Sequence, residues 1–439
     1  MLKIKSKRYF ERHENEINRY VLDNTEWIHL INKQNQFKKY TTKKRNLFEI
    51  DLDITLEKQL KIIDEKKFDL VVITDIYEVT HDIYGFMKTI KTILKPDGKI
   101  LINSINTKWN LVLTIFELFN FKNKSSSRSY IHIKKINSIT QSAGYSLDSS
   151  FSRQIFPFKM LYLGDFLNNL LEMLFYKFKL GINNYLLFSL KPLDYKEYSK
   201  TVIVPAKNEE KNLEPLIKQI PIFKSEYEII MICAKSSDDT INKAYEIKEQ
   251  NPSLPIKVMI QKTKGKGPGV LEALEVAQNE LIAILDSDIS VDPNTLNDFF
   301  EIIETGRADF VNGTRFVYKM EHGAMRRLNS IGNLVFQFII SLLISINLTD
   351  SLCGTKVFKK SLIEKLNKWK SKLKVNDPFG DFDLIFSSAF YGDKILEYPV
   401  HYKARVYGTT QISRFSDGIK LLLYFLNSFA LFNSSKNVR

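Results

Sequence analysis

The chain has 439 residues and a mass of 51.2 kDa, too long for one ordinary core, so two domains of roughly 200 residues each are expected. With 44% apolar and 26% charged residues it is neither disordered nor collagen-like, and its two cysteines cannot build a disulfide framework, which favours a reducing compartment. The net charge of +14 favours a polyanionic partner: nucleic acid, an anionic membrane face or a phosphorylated substrate.

The opening MLKIKSKRYFERHENEIN is charged throughout and has no apolar core, so no signal peptide is expected there. The longest apolar runs, Leu334–Leu348 and Ile419–Phe432, are interrupted by polar residues. They fall short of the roughly 20 residues that a spanning helix needs and read as helices buried in a core or lying on a bilayer surface. In the first half, FDLVVITD (Phe68–Asp75) predicts a buried parallel strand, DIYGFMKTIKTIL a helix, KPDG (Lys95–Gly98) a turn that stops it, and KILINSIN a second strand. This is the spacing of a βαβ unit in a mostly parallel sheet.

From Phe68 to Pro192 the chain resembles the later half of a class I methyltransferase. Such enzymes hold S-adenosylmethionine on a glycine-rich turn after the first strand, where glycine lets the backbone approach the ligand. The corresponding segment, RYVLDNTEWIHLINK (Arg19–Lys33), has no glycine, and the first glycine of the whole chain is Gly85. The expectation is a Rossmann-like, degenerate methyltransferase-type domain over residues 1–192, with no S-adenosylmethionine bound. The basic loop NFKNKSSSRS (Asn120–Ser129) has too few interleaved aromatics to stack bases, so it reads as solvated and no nucleic-acid partner is expected. The polar segment KPLDYKEYSK marks a linker over 193–199, and a second domain is expected over 200–439.

The second half opens with the strand TVIVP and the polar run Asn208-Glu209-Glu210 at a helix start; EYEIIMIC then leads to Ser236, Asp238 and Asp239 before another helix. Acids in a first turn complement a helix dipole, so capping alone would explain both sets. The strand ends are also where open α/β sheets bind ligands. The Lys264-Gly265-Lys266-Gly267 run offers backbone N–H groups and ammonium charge suited to phosphate, or is a plain flexible turn. The sharpest signal is ILDSDISVDP, an apolar strand that delivers Asp286 and Asp288. Two carboxylates at i and i+2 on an extended chain face one side and suit a hard cation.

TVIVPAKNEE, SSDDT, GKGPG, ILDSDISVDP, VNGTRF, DSLCGTKVF, DPFGDFDLIF and RVYGTTQISRF occur in this order, and from Thr201 to about Leu431 the chain resembles a family 2 glycosyltransferase of the GT-A (nucleotide-diphospho-sugar transferase) fold. It is similar in particular to the polyprenyl-phosphate sugar transferases, and to bacterial proteins that fuse such a domain to a methyltransferase-like one. The resemblance implies that Pro205, Asn208, Glu209, Asp238, Lys266, Asp286 and Arg315 bind the nucleotide-sugar donor. It also implies that Asp286 and Asp288 hold a divalent Mg or Mn ion, and that Gly354, Lys356, Arg405, Gln411 and Arg414 line the acceptor and diphosphate side. Asp381 or Asp383 falls at the catalytic carboxylate of an inverting displacement, with Asp381 favoured. Cys233 and Ala234 stand where the family usually has acidic residues that select the base, and Phe415 stands in place of a tryptophan.

The implied acceptor is polyprenyl phosphate at an anionic membrane, with the protein cytoplasmic and peripheral on the cytoplasmic face. A saccharide hydroxyl in surface-polysaccharide assembly is the alternative acceptor, and a non-catalytic binding or scaffold protein the competing class.

Overall fold

The computed structural model describes residues 6–39, 41–42, 46–63, 66–118, 132–155, 163–318, 337, 339–341, 343–344, 346, 348–373, 375, 377, 380–404, 407 and 414–436. The chain divides into two compact units, Met1–Pro192 and Leu193–Arg439, each built on its own sheet.

In the first unit the elements run α1 (Ser6–Asn18), β1 (Trp27–Asn32), β2 (Leu47–Ile50), α2 (Leu56–Leu60), β3 (Phe68–Ile73), α3 (Ile76–Val79), α4 (Ile83–Ile90), β4 (Leu94–Ile105), α5 (Asn110–Leu118), α6 (Ile133–Ser142), β5 (Tyr145–Arg153), α7 (Leu163–Leu174) and β6 (Asn183–Leu190). The sheet order is β2-β1-β3-β4-β6-β5. Its first four strands are parallel, and β6 and β5 close the edge as an antiparallel pair. The core strands read as near-continuous apolar runs because both of their faces are covered: Leu70, Val71, Val72 and Ile73 are all buried.

The KPDG segment departs from its expected role. Lys95–Gly98 lies inside β4 rather than in a turn ahead of it, and the β3–β4 register jumps from Phe68↔Leu94 to Leu70↔Lys99. Pro96 and Gly98 thus make a bulge at the entrance of the strand, a place where a sheet tolerates both residues. The helix before it ends at Ile90 and tightens through the 3-10 turn Lys91–Ile93.

The second unit runs β7 (Lys200–Ala206), α8 (Glu210–Gln219), β8 (Tyr227–Cys233), α9 (Thr240–Gln250), β9 (Ile256–Ile260), α10 (Lys266–Val276), β10 (Leu281–Ile284), α11 (Leu296–Glu304), β11 (Phe310–Thr314), β12 (Lys356–Lys359), α12 (Leu362–Lys370), α13 (Asp381–Phe390), β13 (Ile395–Pro399) and α14 (Arg414–Lys436). The sheet order is β13-β11-β12-β10-β7-β8-β9. Strands β10, β7, β8 and β9 are parallel, and β12 inserts antiparallel between β10 and β11. That insertion matters for function, because it sets the start of β12 beside the end of β10, with Lys356 opposite Ile284.

An aromatic core under α12, α13 and α14 holds these pieces. Trp369, Phe386, Tyr424 and Phe432 are buried with ring centroids 5.7–6.2 Å apart. Such ring pairs each add about 0.5–1.5 kcal/mol beyond their buried area. Helix α14 carries the whole Ile419–Phe432 apolar run. It buries Leu421, Tyr424, Phe425 and Phe432 and exposes Leu422, Leu423, Leu426 and Phe429. Among the described residues no helix is long and apolar enough to cross a membrane.

Candidate active site

In the second unit four charged residues of the motifs, Lys266, Asp286, Lys356 and Asp381, gather where β10, α10, β12 and α13 meet. Strand β10 ends at Ile284, and Leu285 is still tied to β7 through its N–H to the Ile203 carbonyl at 2.9 Å. Asp286 and Asp288 therefore stand just beyond the strand, with Ser287 and Asp288 in a turn, and not on the extended chain that the i, i+2 reading assumed. What fixes the turn is Ser287, whose hydroxyl donates to the Pro205 carbonyl at 2.9 Å, while Asp288 Oδ1 accepts the Ser290 N–H at 3.0 Å. Ile289 takes a positive φ of 53°, unusual for a β-branched residue and a mark of local constraint.

Asp286 is gripped from two sides. The Lys266 ammonium, at the start of α10, pairs with its Oδ1. On the other side the Gly354 backbone lies so close that a Cβ there would sit 1.9 Å from Asp286 Oδ2 and would displace the carboxylate. Against the cost of desolvation, the charges of Asp286, Asp381 and Asp288 raise the pKa of Lys266, so all three carboxylates act on one ammonium. Gly380 (φ +80°) completes the arrangement, since a Cβ on it would fall 2.7 Å from the Cα of Gly267. The first turn of α10 and the first turn of α13 are thus in contact, and this places Lys266 near Asp381.

Asp381 in turn pairs with Lys356. The Lys356 ammonium is fully buried, lies 2.7 Å from Asp381 Oδ1 and also donates to the Cys353 carbonyl. The result is an alternating row: Lys356, Asp381, Lys266, Asp286. Behind it, Val270, Leu271, Leu274, Leu366 and Leu384 line a small apolar cavity.

Asp383 takes a different direction from Asp381. It is buried, accepts a 2.6 Å hydrogen bond from the Tyr424 hydroxyl on α14, and its pKa is raised by desolvation. Two residues apart on one helix turn, the two acids cannot share a face. Asp377, which the sequence did not single out, caps α13 by accepting the N–H groups of Phe382 (2.7 Å) and Asp383 (3.0 Å).

The residues expected on the donor side form a second group at the ends of β7 and β8. Asp238 is a brace between helices: Oδ2 accepts the Glu210 N–H at 3.2 Å and Oδ1 accepts the Thr240 N–H at 3.2 Å, so one carboxylate serves the starts of both α8 and α9. Asn208, at φ 57°, accepts the Ser237 N–H at 2.8 Å, and the Glu209 N–H donates to the Thr240 hydroxyl at 2.9 Å. Next to this turn the Cys233 thiol is buried, which pushes its pKa up to about 12.

Arg315 does not stand open to a ligand. It makes a bidentate pair with Asp350, Nε to Oδ2 at 2.6 Å and Nη2 to Oδ1 at 2.8 Å, with Asp350 fully buried. Glu397 holds the same segment by accepting the Thr349 and Asp350 N–H groups at 2.7 and 3.1 Å, and burial pushes its carboxyl up to about 7. Asp350 opens the DSLCGTKVF motif but its pairing with Arg315 carried no sequence signal, and Glu397 carried none at all, because each supports a partner more than 30 residues away. Arg405 and Gln411 lie outside the described residues, and Arg414 begins α14. Among the described residues no group of three or more His, Cys, Asp or Glu could hold a metal by itself.

The corresponding strand ends of the first unit are filled by the protein. Thr74, just after β3, has its hydroxyl 2.7 Å from both His13 Nε2 and His29 Nε2, and His13 Nδ1 lies 2.7 Å from the Tyr185 hydroxyl. Phe37 packs 5.0 Å from each imidazole ring. After β1 the glycine-free turn is closed by asparagines, with Asn32 accepting the Gln34 N–H and Asn35 the Phe37 N–H.

Residues 201–367 match the family described as Glycosyl transferase family 2. A dolichyl-phosphate hexose transferase of Haloferax volcanii is 26% identical over 188 residues, covering 43% of this chain and 75% of that protein. A dodecaprenyl-phosphate galacturonate synthase of Rhizobium johnstonii is 23% identical over 171 residues, covering 38% and 49%. Beyond the first of these, the chain spans about half or less of the curated relatives it matches. A Mycobacterium tuberculosis glucosyl-3-phosphoglycerate synthase, solved with Mn2+, uridine-diphosphate and glucosyl-3-phosphoglycerate, aligns at 17% identity and a TM-score of 0.41 over 53% of this chain and 80% of that one.

Proposed function

We propose that this chain, a glycosyltransferase, moves a sugar from a nucleotide-sugar donor to a polyprenyl phosphate at the cytoplasmic membrane surface, with inversion at the anomeric carbon. The observation that carries the reading is the alternating row of Lys356, Asp381, Lys266 and Asp286 at the end of β10, where an open α/β sheet takes its ligands. The relatives named for dolichyl-phosphate and dodecaprenyl-phosphate support the acceptor class.

Asp286 and Asp288 are the residues that would hold a divalent ion. Their hard oxygens fit Mg or Mn, the Lys266 ammonium already takes a cation's place beside Asp286, and two carboxylates suffice when the remaining ligands come from a diphosphate and water. The ion would supply charge neutralisation at the departing diphosphate. Lys266 adds a positive charge at the same point. Asp381 is the acceptor-side carboxylate, held in one orientation by Lys356. A lipid phosphate arrives already ionised, so Asp381 orients the acceptor, whereas a sugar hydroxyl would require it to take a proton. Asn208, Glu209 and Asp238 shape the nucleotide turn, and Arg315 acts through its pair with Asp350 to fix the segment leading to Gly354.

For the first unit we infer a methyltransferase-like sheet that has lost S-adenosylmethionine binding, supported by its parallel strands β2-β1-β3-β4 and by the side chains that fill their ends. Titration calorimetry with S-adenosylmethionine is expected to show no heat of binding; micromolar affinity would overturn this part.

The test of the main reading is incubation of the full chain with a panel of nucleotide-sugars, Mn or Mg, and a short-chain polyprenyl phosphate. Formation of a lipid-linked sugar is expected. Transfer to a saccharide hydroxyl with none to the lipid phosphate would move the acceptor to the alternative, and no turnover of any donor would remove the reading.

A further inference from the structure

We infer that the first unit docks on an anionic lipid bilayer through the outer face of α5 and the end of α7. Helix α5 exposes Leu111, Ile115 and Leu118, at i, i+4 and i+7, which is one stripe of a helix. From the last two residues of α7 onward the chain MLFYKFK, residues 173–179, is exposed at every position, with Met173 70%, Leu174 60% and Phe178 63% accessible.

The two apolar surfaces are fastened to each other. The 3-10 turn Thr107–Trp109 leads directly into α5, and its Lys108 ammonium donates to the Phe178 carbonyl at 2.6 Å. Next to it, Trp109 Nε1 donates to the Leu180 carbonyl at 2.7 Å and Asn106 Nδ2 to the Lys179 carbonyl at 2.9 Å. Monomeric soluble proteins rarely leave a contiguous face of this kind open.

Charge selects the occupant. Residues 1–192 hold 31 Lys and Arg against 20 Asp and Glu, a net +11, whereas residues 193–439 hold 33 against 30. Lys108, Lys177 and Lys179 are exposed among the apolar residues. Large apolar and aromatic side chains interleaved with lysine suit the boundary between headgroups and acyl chains, where ammonium groups meet lipid phosphates. A second copy of the chain would instead bring like charges together. The inference stands apart from the choice of sugar acceptor, since it concerns residues of the other unit.

Flotation of the full chain with phosphatidylcholine vesicles, with and without phosphatidylglycerol, tests it. The protein is expected to float with the anionic vesicles and to dissociate as salt is raised. Leu174→Glu with Phe178→Glu, and separately Lys177→Glu with Lys179→Glu, are each expected to reduce the bound fraction about tenfold or more. Thermal melting and lipid-free donor turnover should stay as in the unchanged chain, since these side chains are exposed. Three results would overturn the inference: no flotation of the unchanged chain, flotation retained by both variants, or flotation abolished only by Leu422→Glu with Leu426→Glu on α14. A dimer in light scattering that the Leu174→Glu, Phe178→Glu variant dissolves would assign the face to a second copy and equally overturn it.

Discussion

The two units answer the same architectural question in opposite ways. Each has a parallel sheet whose strand ends form the place where such sheets take ligands. In the first unit that place is closed by His13, His29, Thr74, Tyr185 and Phe37, all buried. In the second it carries Asp286, Lys266, Asp381 and Lys356, opposite charges held close together. A βα frame therefore provides the position of a site, and a handful of side chains decides whether it is filled with packed rings and hydroxyls or lined with paired charges.

The sharpest way to separate the units is to unfold one and spare the other. Arg315→Ala leaves the buried Asp350 carboxylate without its bidentate partner, which is expected to destabilise the second unit by about 3–5 kcal/mol. Differential scanning calorimetry should show one transition moving down while the transition of the first unit stays in place; movement of both would mean that the units do not unfold separately.

Acidity should distinguish them next. Burial pushes His13 down to about 3 and holds His29 well below the usual 6.5. The unfolded chain thus binds more protons than the fold once the pH drops below 6.5, and the first unit loses on the order of 1 kcal/mol per pH unit per histidine below that point. Glu397 runs the other way. Burial pushes it up to about 7 from 4.5, so the folded second unit binds the extra proton and loses stability as the pH rises from 4.5 to 7, then levels off. Melting curves between pH 4.5 and 8 should show the two transitions shifting in opposite directions, and Glu397→Gln should flatten the second. Parallel shifts would contradict the assignment of these groups.

A smaller effect concerns the two carboxylates of α13. Tyr424→Phe removes the hydroxyl that donates to buried Asp383 and is expected to cost the second unit about 1–3 kcal/mol, while sugar transfer per folded molecule changes little. A large loss of transfer would mean that Asp383, not Asp381, meets the substrate.

Part of the fold was legible in the sequence: FDLVVITD and KILINSIN read as the strands β3 and β4, and the apolar run ahead of Asp286 and Asp288 gave β10. Pairings across distant sequence were invisible. Lys356 meets Asp381 only because β12 runs antiparallel beside β10, and Arg315 meets Asp350 across a segment of 35 residues. That Asp238 also braces α8 and α9 was not legible, because its Glu210 partner lies 28 residues earlier in the chain. KPDG was misread because a proline-glycine bulge inside a strand has the composition of a turn. The histidine pair of the first unit gave no signal, since single histidines spread over α1 and β1 have no periodicity to detect.

The most direct test is to replace Asp381 by asparagine and follow sugar transfer to polyprenyl phosphate alongside donor binding by thermal shift. The side chain keeps its shape and an oxygen for Lys356 but loses the charge that pairs it and orients the acceptor, so donor binding should persist while transfer should fall by about 10²-fold or more. Transfer at the unchanged rate would contradict the claim that the charged row at the end of β10 performs the reaction.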